Sequence, residues 1–507
     1  MDKIILHIDY LYSTISGLSS EMSEDLYDLL SFKVPGAEFI IEHRPNWDGK
    51  IRLYKKYNQS FLTGLCYKAC DFLIKKYKVK LKIINHTEKP KKNIDLKWND
   101  KKYEIRDYQR TLIDIMKNKG RSILNAATGS GKTIIVSKVI QELGVSPFIF
   151  YVLSKDLMYQ AKERLEDSIP NIKVGIIGDG ICDIKPISVV TVQSAMSALK
   201  INTKKELENF KKYANMDEVE FKSFKNENMT HMQKKKSEVI DYIKNAKGIY
   251  ADETHHFASK ICKKVMLLSP KAYYRFGGSA TPVRGDNAYL IIEGLFGRST
   301  AVVTASELIE KGVLMQPKIN FIELQSNKII ANTWAQDRKE NIVENGERNE
   351  CIVNLANELQ ERNISTLILI QVIKHGKFLQ KRIKDSVFVY GNTKKEKRKK
   401  YLKDFENGKI NTMIASIIAD EGLDIPTLSV LINAGGGKSP TRAKQRVGRV
   451  IRKGSSHAIV YDFMDKGRWS KKHSLERIKM LKEEEKFIIK RIKSEEVLKE
   501  TREKDLF

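Results

Sequence analysis

Residues 122–143 read SILNAATGSGKTIIVSKVIQEL: an apolar strand-like run, a turn of glycine and small hydroxyl residues, a lysine, and then an apolar helical pattern. A strand that ends in such a loop and passes straight into a helix is compatible with few folds, because loop amides and a helix N-terminus facing one point form a phosphate site. The stretch AATGSGKT, Ala126 to Thr133, departs from the usual phosphate-binding loop only at Ala126, where the first glycine is common. In such a loop the amides of Thr128, Gly129, Ser130 and Gly131 surround the β and γ phosphates, Lys132 supplies a point charge, and the Thr133 hydroxyl ligates Mg2+.

The surrounding texture agrees with that requirement. From about residue 104 apolar runs alternate with helical patterns in two series. The first is SILNAA, PFIFYVLS, ISVVTVQ, GIYADE and YYRFGGSA; the second is TLILIQVI, VFVYG, TMIAS, LSVLINAG and AIVYDFM. Strands and helices in alternation imply parallel sheets covered on both faces, and two series imply two such α/β lobes. The first 88 residues differ. There KIILHI, AEFIIEH, KIRLYKK and KVKLKII read as strands and SEDLYDLLSF and LTGLCYKACDFLIKKY as helices, with Asp48-Gly49 as a hairpin turn between two strands. The expected division is a small α+β unit at 1–88, a polar linker at 89–103, a first lobe at 104–300 with a charged helical insertion at about 198–247, a connection at 301–345, a second lobe at 346–470 and a helical tail at 471–507.

Composition narrows the partner. Lysine and arginine exceed aspartate and glutamate by 91 to 63, a formal surplus of +28 that suits a polyanion such as nucleic acid. Five scattered cysteines support neither a disulfide framework nor a thiolate zinc site and point to a reducing compartment. No apolar run reaches the roughly 18 residues of a membrane span, and a cytosolic location is expected.

The stretch DETHH, Asp252 to His256, follows the apolar GIY and so emerges at the carboxyl end of a parallel strand, where such sheets place ligands. Asp252 then suits Mg2+ and Glu253 the activation of a water. His255 and His256 are chain neighbours and share no helix face, which disfavours a zinc site.

In order along the chain, AATGSGKT, DETH, SATP (279–282), ADEGLDIP (419–426) and QRVGRVIR (445–452) resemble the motifs of superfamily 2 helicases and translocases, and the unit containing NWDGKIRLY before the motor resembles the phage recombination helicases of the UvsW type. The resemblance implies two RecA-like lobes that bind ATP with Mg2+ and act on DNA as a monomer. It assigns adenine reading to Gln109, coupling of hydrolysis to movement to Ser279 and Thr281, and sugar contacts to Gly422 and Asp424. It also implies that His255 joins the catalytic set, that Gln445 helps close the site, and that Arg449 and Arg452 reach the γ phosphate from the second lobe. Strand-tracking roles fall on Lys155, Gln160, Thr191, Gln193, Ser194, His375 and Lys377. In the N-terminal unit, Lys50 and Arg52, with Arg44, Lys55 and Lys56 nearby, form a candidate phosphate clamp, and Trp47 suits core packing or base stacking. The expected function is an ATP-dependent motor on forked or four-way DNA. An RNA helicase or the motor subunit of a restriction-like system remains open.

Overall fold

The computed structural model describes residues 4–42, 46–199, 231–280, 288–326, 330–416, 428–437, 440–451 and 458–502. They fall into two compact units, one of residues 1–126 with 131–302 and one of 127–130 with 303–507.

The first unit opens with β1 (Ile4–Ile8), β2 (Tyr12–Ser16), α1 (Ser20–Leu29), β3 (Ser31–Lys33), α2 (Ala37–Ile41), β4 (Lys50–Arg52), β5 (Ser60–Leu62), α3 (Cys66–Tyr77) and β6 (Leu81–Asn85). A four-stranded sheet runs β5-β2-β1-β6, and β3 pairs separately with β4. Period-two burial of Ile4 and Leu6 turns β1 toward the helices, and the Ser19 hydroxyl caps α1 by accepting the Met22 amide at 3.2 Å. Two expectations are corrected here. AEFIIEH is helical over Ala37–Ile41, not a strand, a short apolar run being ambiguous between the two. Asp48-Gly49 is therefore no two-residue hairpin turn: β4 pairs with β3, Lys50 opposite Lys33, and α2 lies between them. Gly49 has φ of 76° and packs so closely that a Cβ there would stand 2.8 Å from that of Ala37.

This sheet is not held by a tether alone. Glu293, 6% exposed, accepts Lys68 Nζ at 2.9 Å and the Tyr67 hydroxyl, and Arg121 donates to the Tyr10 carbonyl. A single apolar core runs from Leu6, Ile15 and Phe61 to Ile123, Ile249 and Phe296. The segment 89–103, expected as a linker, is laid against the lobe: the amides of Asn93 and Ile94 donate to the Gly144 carbonyl at 2.8 and 3.1 Å, and that of Asn99 to the Ser168 carbonyl at 3.0 Å. Polar side chains join in, Asn99 Nδ2 donating to the Asp167 carbonyl at 3.0 Å and Gln141 Nε2 to the Leu96 carbonyl at 2.8 Å, so the polar composition here marks contact with the lobe and not a free tether.

The first lobe follows as α4 (Asp107–Lys119), β7 (Arg121–Ala126), α5 (Lys132–Leu143), β8 (Phe148–Val152), α6 (Lys155–Ser168), β9 (Gly175–Gly178), β10 (Ile181–Asp183), β11 (Ile187–Thr191), α7 (Val192–Leu199), α8 (His231–Lys244), β12 (Gly248–Asp252), α9 (Lys260–Met266), β13 (Tyr274–Ser279), α10 (Tyr289–Phe296) and β14 (Ser299–Val303). Its sheet is ordered β10-β9-β11-β8-β12-β13-β7-β14 and is parallel from β9 through β7. Of the insertion, 200–230 lies outside the described residues.

The second unit contains α11 (Ala305–Glu310), β15 (Lys318–Glu323), α12 (Trp334–Arg338), α13 (Gly346–Glu361), β16 (Thr366–Ile370), α14 (Ile373–Arg382), β17 (Val387–Val389), α15 (Lys395–Glu406), β18 (Thr412–Ser416), β19 (Val430–Asn433), α16 (Pro440–Val450), β20 (Ile459–Met464), α17 (Arg468–Leu481), β21 (Ile488–Lys493) and α18 (Val497–Arg502). Its seven strands, β17-β18-β16-β19-β20-β15-β21, are all parallel. The expected connection at 301–345 thus supplies β15, and the expected tail at 471–507 supplies β21 and much of a buried helix, α17. Their charge pattern misled: the charged side chains of β21 face out while its backbone completes the sheet.

Candidate active site

The loop between β7 and α5 turns through Gly129 and Gly131, with φ of 86° and 81°, conformations in which a side chain is strained. A Cβ on Gly131 would stand 2.7 Å from Gln109 Nε2. Gln109, in the first turn of α4 and buried, therefore lies against this loop, and its Oε1 accepts the Arg106 amide at 3.1 Å. Lys132 begins α5 and donates from Nζ to the Ala126 carbonyl at 3.1 Å, which folds its ammonium back over the loop.

Asp252 ends β12 in register with Gly278 of β13. Its Oδ1 accepts the Tyr250 hydroxyl at 3.2 Å. The chain turns at Glu253, whose φ of 50° and ψ of 56° are left-handed and cost a non-glycine residue about 1 kcal/mol. That turn brings Glu253 Oε2 to 3.3 Å from His255 Nδ1, which also lies 3.1 Å from the Ser279 hydroxyl at the end of β13. His255 thus joins two strand ends through hydrogen bonds, and its ring packs against that of His256, centroids 4.1 Å apart and tilted by 41°.

The two carboxyls are driven apart in acidity. Burial, then the charge of Glu253, push Asp252 up, and Lys132 pulls it partly back. Burial acts on Glu253 in the same sense, but the His255 ring and Lys132 outweigh it and hold Glu253 below the usual range. Glu253 is therefore ionised and oriented, as a base must be. The hard oxygen donors Asp252 and Thr133 fit Mg2+, whose charge would further favour the carboxylate form of Asp252.

Two further expected groups lie on adjacent strand ends. Thr191 Oγ1 donates to Ser194 Oγ at 2.9 Å, and Gln193 Nε2 to the Leu153 carbonyl at 2.8 Å, just before Lys155 and Gln160 on α6. Lys155 Nζ reaches Asp179 at 3.4 Å. In the second unit Gln445 and Arg449 lie on α16. Thr281, Gly422, Asp424, Arg452 and Arg44 lie outside the described residues.

In the N-terminal unit the candidate clamp is partly neutralised. Lys50 pairs with Asp28 at 3.1 Å, while Arg52 pairs with Asp48 and lies 4.5 Å above the Tyr27 ring. Trp47 donates from Nε1 to the Lys50 carbonyl at 2.9 Å, so its indole braces the turn.

His375 is a correction. It is 1% exposed, inside the second lobe, with Nε2 2.8 Å from Asn349 Oδ1, so it does not reach a phosphate; Lys377, two residues on, is exposed. Helical spacing put one residue in and the other out. Burial, helped by Arg348, pushes the His375 ring down to about 3. The folded state thus holds a neutral ring where the unfolded chain binds a proton, and stability should fall by about 1.4 kcal/mol per pH unit below roughly 6.5. His375→Leu is expected to flatten that dependence between about pH 4 and 6 in thermal melts, with DNA affinity unchanged.

Tyr250 is the site residue that the sequence reading missed. It lies two positions before Asp252, and period-two geometry puts both side chains on one face.

Residues 102–284 match the family model described as the type III restriction enzyme res subunit, and residues 347–454 match the helicase conserved C-terminal domain. The ATP-dependent DNA helicase uvsW of Enterobacteria phage T4 is 24% identical, the match covering 87% of this chain and 86% of that protein. The DNA 3'-5' translocase XPB2 of Sulfurisphaera tokodaii is also 24% identical, over 72% of this chain and 82% of its own. The chain spans 57% of the length of the protein named Rad25 in Halobacterium salinarum. Among solved structures, an HsdR fragment of a type I restriction enzyme from Vibrio vulnificus superposes with a TM-score of 0.53 at 15% identity, covering 77% of this chain and 69% of that one. Mss116p bound to ssRNA and AMP-PNP gives 0.52 at 14%, covering 78% and 75%. At such identities these two likenesses speak for the fold, a pair of RecA-like lobes. The chain is a superfamily 2 helicase, built on the two motor domains shared by these ATP-hydrolysing enzymes and resembling phage UvsW.

Proposed function

We propose that the chain is an ATP- and Mg2+-dependent DNA translocase that remodels forked or four-way DNA as a monomer in the cytoplasm of its host. The observation that carries the motor chemistry is Glu253, ionised in a left-handed turn between His255 and Lys132. In this reading Glu253 takes the proton of the attacking water and Asp252 with Thr133 holds the metal, which supplies charge neutralisation on the phosphates. Lys132 and the loop amides position the β and γ phosphates, and Gln109 reads adenine. Gly422 and Asp424 contact the sugar. Gln445, Arg449 and Arg452 stabilise charge that develops on the γ phosphate. The Glu253–His255–Ser279 hydrogen-bonded chain, with Thr281, passes the state of the phosphate to the strand-tracking groups Lys155, Gln160, Thr191, Gln193, Ser194 and Lys377.

DNA as the partner is supported by the surplus of +28 and by relatives named as DNA helicases and translocases. Action on branches is supported by the N-terminal sheet, which is anchored on the first lobe by Glu293 and so can hold a second arm at a fixed distance from the motor. The Lys50–Asp28 pair is exposed on both sides, and such a pair exchanges readily for a phosphate. Arg52, stacked and doubly bound, is the structural member.

The test is ATPase and unwinding on forks, four-way junctions, plain duplex and RNA duplex. Junctions and forks are expected to be processed fastest, and Lys50→Ala should lower the log-log salt slope of junction binding by about 1. Stimulation by RNA equal to that by DNA would overturn the substrate assignment. Equal rates on plain and branched duplex would overturn the branch assignment alone.

A further inference from the structure

The segment that leads into α16 reads NAGGG, Asn433 to Gly437, and side chains from three separate elements hold its carbonyls. Arg348 of α13 donates to the Ala434 carbonyl at 2.7 Å, Gln371 to that of Gly436 at 3.0 Å, and Arg477 of α17 to that of Gly437 at 2.9 Å. The glycines are needed for this grip. Gly436 and Gly437 have φ of 57° and 106°, and a Cβ on Gly435 would stand 2.9 Å from the Gln371 amide.

Arg477 also starts a second chain of contacts. Its Nε and Nη2 donate to Asp462 Oδ2 and Oδ1 at 2.9 and 2.8 Å. Asp462 Oδ2 accepts Asn433 Nδ2 at 2.8 Å, and Asn433 Oδ1 accepts Arg446 Nη1 at 2.6 Å. All four residues are buried, so each hydrogen bond acts in a medium that strengthens it. Arg446 stands on α16 beside Gln445 and one turn before Arg449. One guanidinium therefore fixes both the loop that enters α16 and, through two intermediaries, the body of that helix.

We infer that Arg477 is a positioning residue for ATP hydrolysis: from α17 it sets the orientation at which α16 presents Gln445 and Arg449 to the nucleotide. The inference rests on the proposed role of Arg449 at the γ phosphate. A buried ion pair that served stability alone would, when weakened, reduce the amount of folded protein and leave turnover per folded molecule unchanged. A positioning group lowers turnover at constant substrate affinity, since a displacement of about 1 Å in a reacting group is worth up to about 100-fold.

The test uses the full chain in DNA-stimulated steady-state ATPase, with active protein counted by nucleotide binding. Arg477→Lys keeps a charge for Asp462 but has no planar fork to reach Asp462 and Gly437 together. It is expected to lower kcat about 10- to 100-fold with KM for ATP within about 3-fold. Asn433→Ser leaves the Arg477–Asp462 pair intact and breaks only the relay, and should lower kcat roughly 3- to 10-fold. Combined with Arg449→Ala, either change should add less than about 2-fold, because its route of action is already gone. An Arg449→Ala variant with normal kcat would remove the role of Arg449 and this inference with it. A slow Arg449→Ala together with normal kcat in the other two, or losses that multiply in the double variants, would overturn the positioning role while the role of Arg449 stands. If Arg477→Lys does not fold, Asn433→Ser alone and with Arg449→Ala gives the same decision.

Discussion

Glu253→Gln is expected to lower ATP turnover by about two to four orders of magnitude, the usual contribution of a positioned general base, while ATP still binds. The amide keeps the size and the left-handed turn but has no basic lone pair for the proton of water. It also removes the charge that presses on Asp252, and Asp252 should then titrate lower. Melting temperature is consequently expected to hold or rise slightly, the pattern of a site whose strain serves chemistry. Steady-state ATPase and nucleotide binding on the same preparation check this. Turnover near wild type would remove Glu253 from the reaction. Loss of ATP binding in step with turnover would assign it to the binding pocket instead.

Gly64→Ala should separate the N-terminal sheet from the first lobe. A Cβ at residue 64 would stand 2.6 Å from the Gly294 carbonyl oxygen and 2.7 Å from the Gly297 amide, and nearer still to the Glu293 carbonyl. These are backbone atoms of α10 and its end, which no rotamer change can move aside. The seam must open, at roughly 1–3 kcal/mol or more, and with it go the Lys68 and Tyr67 bonds to Glu293. Gly346→Ala is the matched control, since nothing lies within 4 Å of its Cβ position and the change in a helix is neutral or stabilising. The Gly64 variant should melt lower, expose the 89–103 segment to protease and keep ATPase stimulated by single strands, with junction processing lost. An unaltered melt and digestion pattern would mean that the seam does not carry the packing described.

The strands named from sequence in the two lobes are present, since buried parallel strands leave continuous apolar runs with glycine or polar punctuation. Of the strands that were missed, one was hidden by its charge pattern. β21, IIKRIK, is an edge strand whose side chains look like a solvated helix, and only its register with β15 reveals it. The segment after residue 88 is fastened by backbone and polar side-chain groups together, and the Gly64 contact is between backbones; composition encodes neither pairing. The place of Asp252 and Glu253 at the carboxyl end of β12 was legible because two acids directly follow a short apolar run. His375 was misread because a motif match says which residue is present and nothing of which side of α14 meets the core. The hold on α16 was invisible for a further reason: Asn433, Asp462 and Arg477 come from three different elements, and only the folded sheet brings their side chains together.

The place of β15 has a consequence for the order of folding. Lys318 pairs with Ile459 on one side and Ile488 on the other, so this inner strand has no hydrogen-bonding neighbour among the residues synthesised soon after it. In the first unit each strand from β7 to β14 has a partner by residue 303. Loop-closure entropy makes such distant pairings slow. A ribosome would therefore release a finished first sheet while β15 remained an unpaired apolar strand, and during that interval the nascent chain is most exposed to aggregation and most in need of a chaperone.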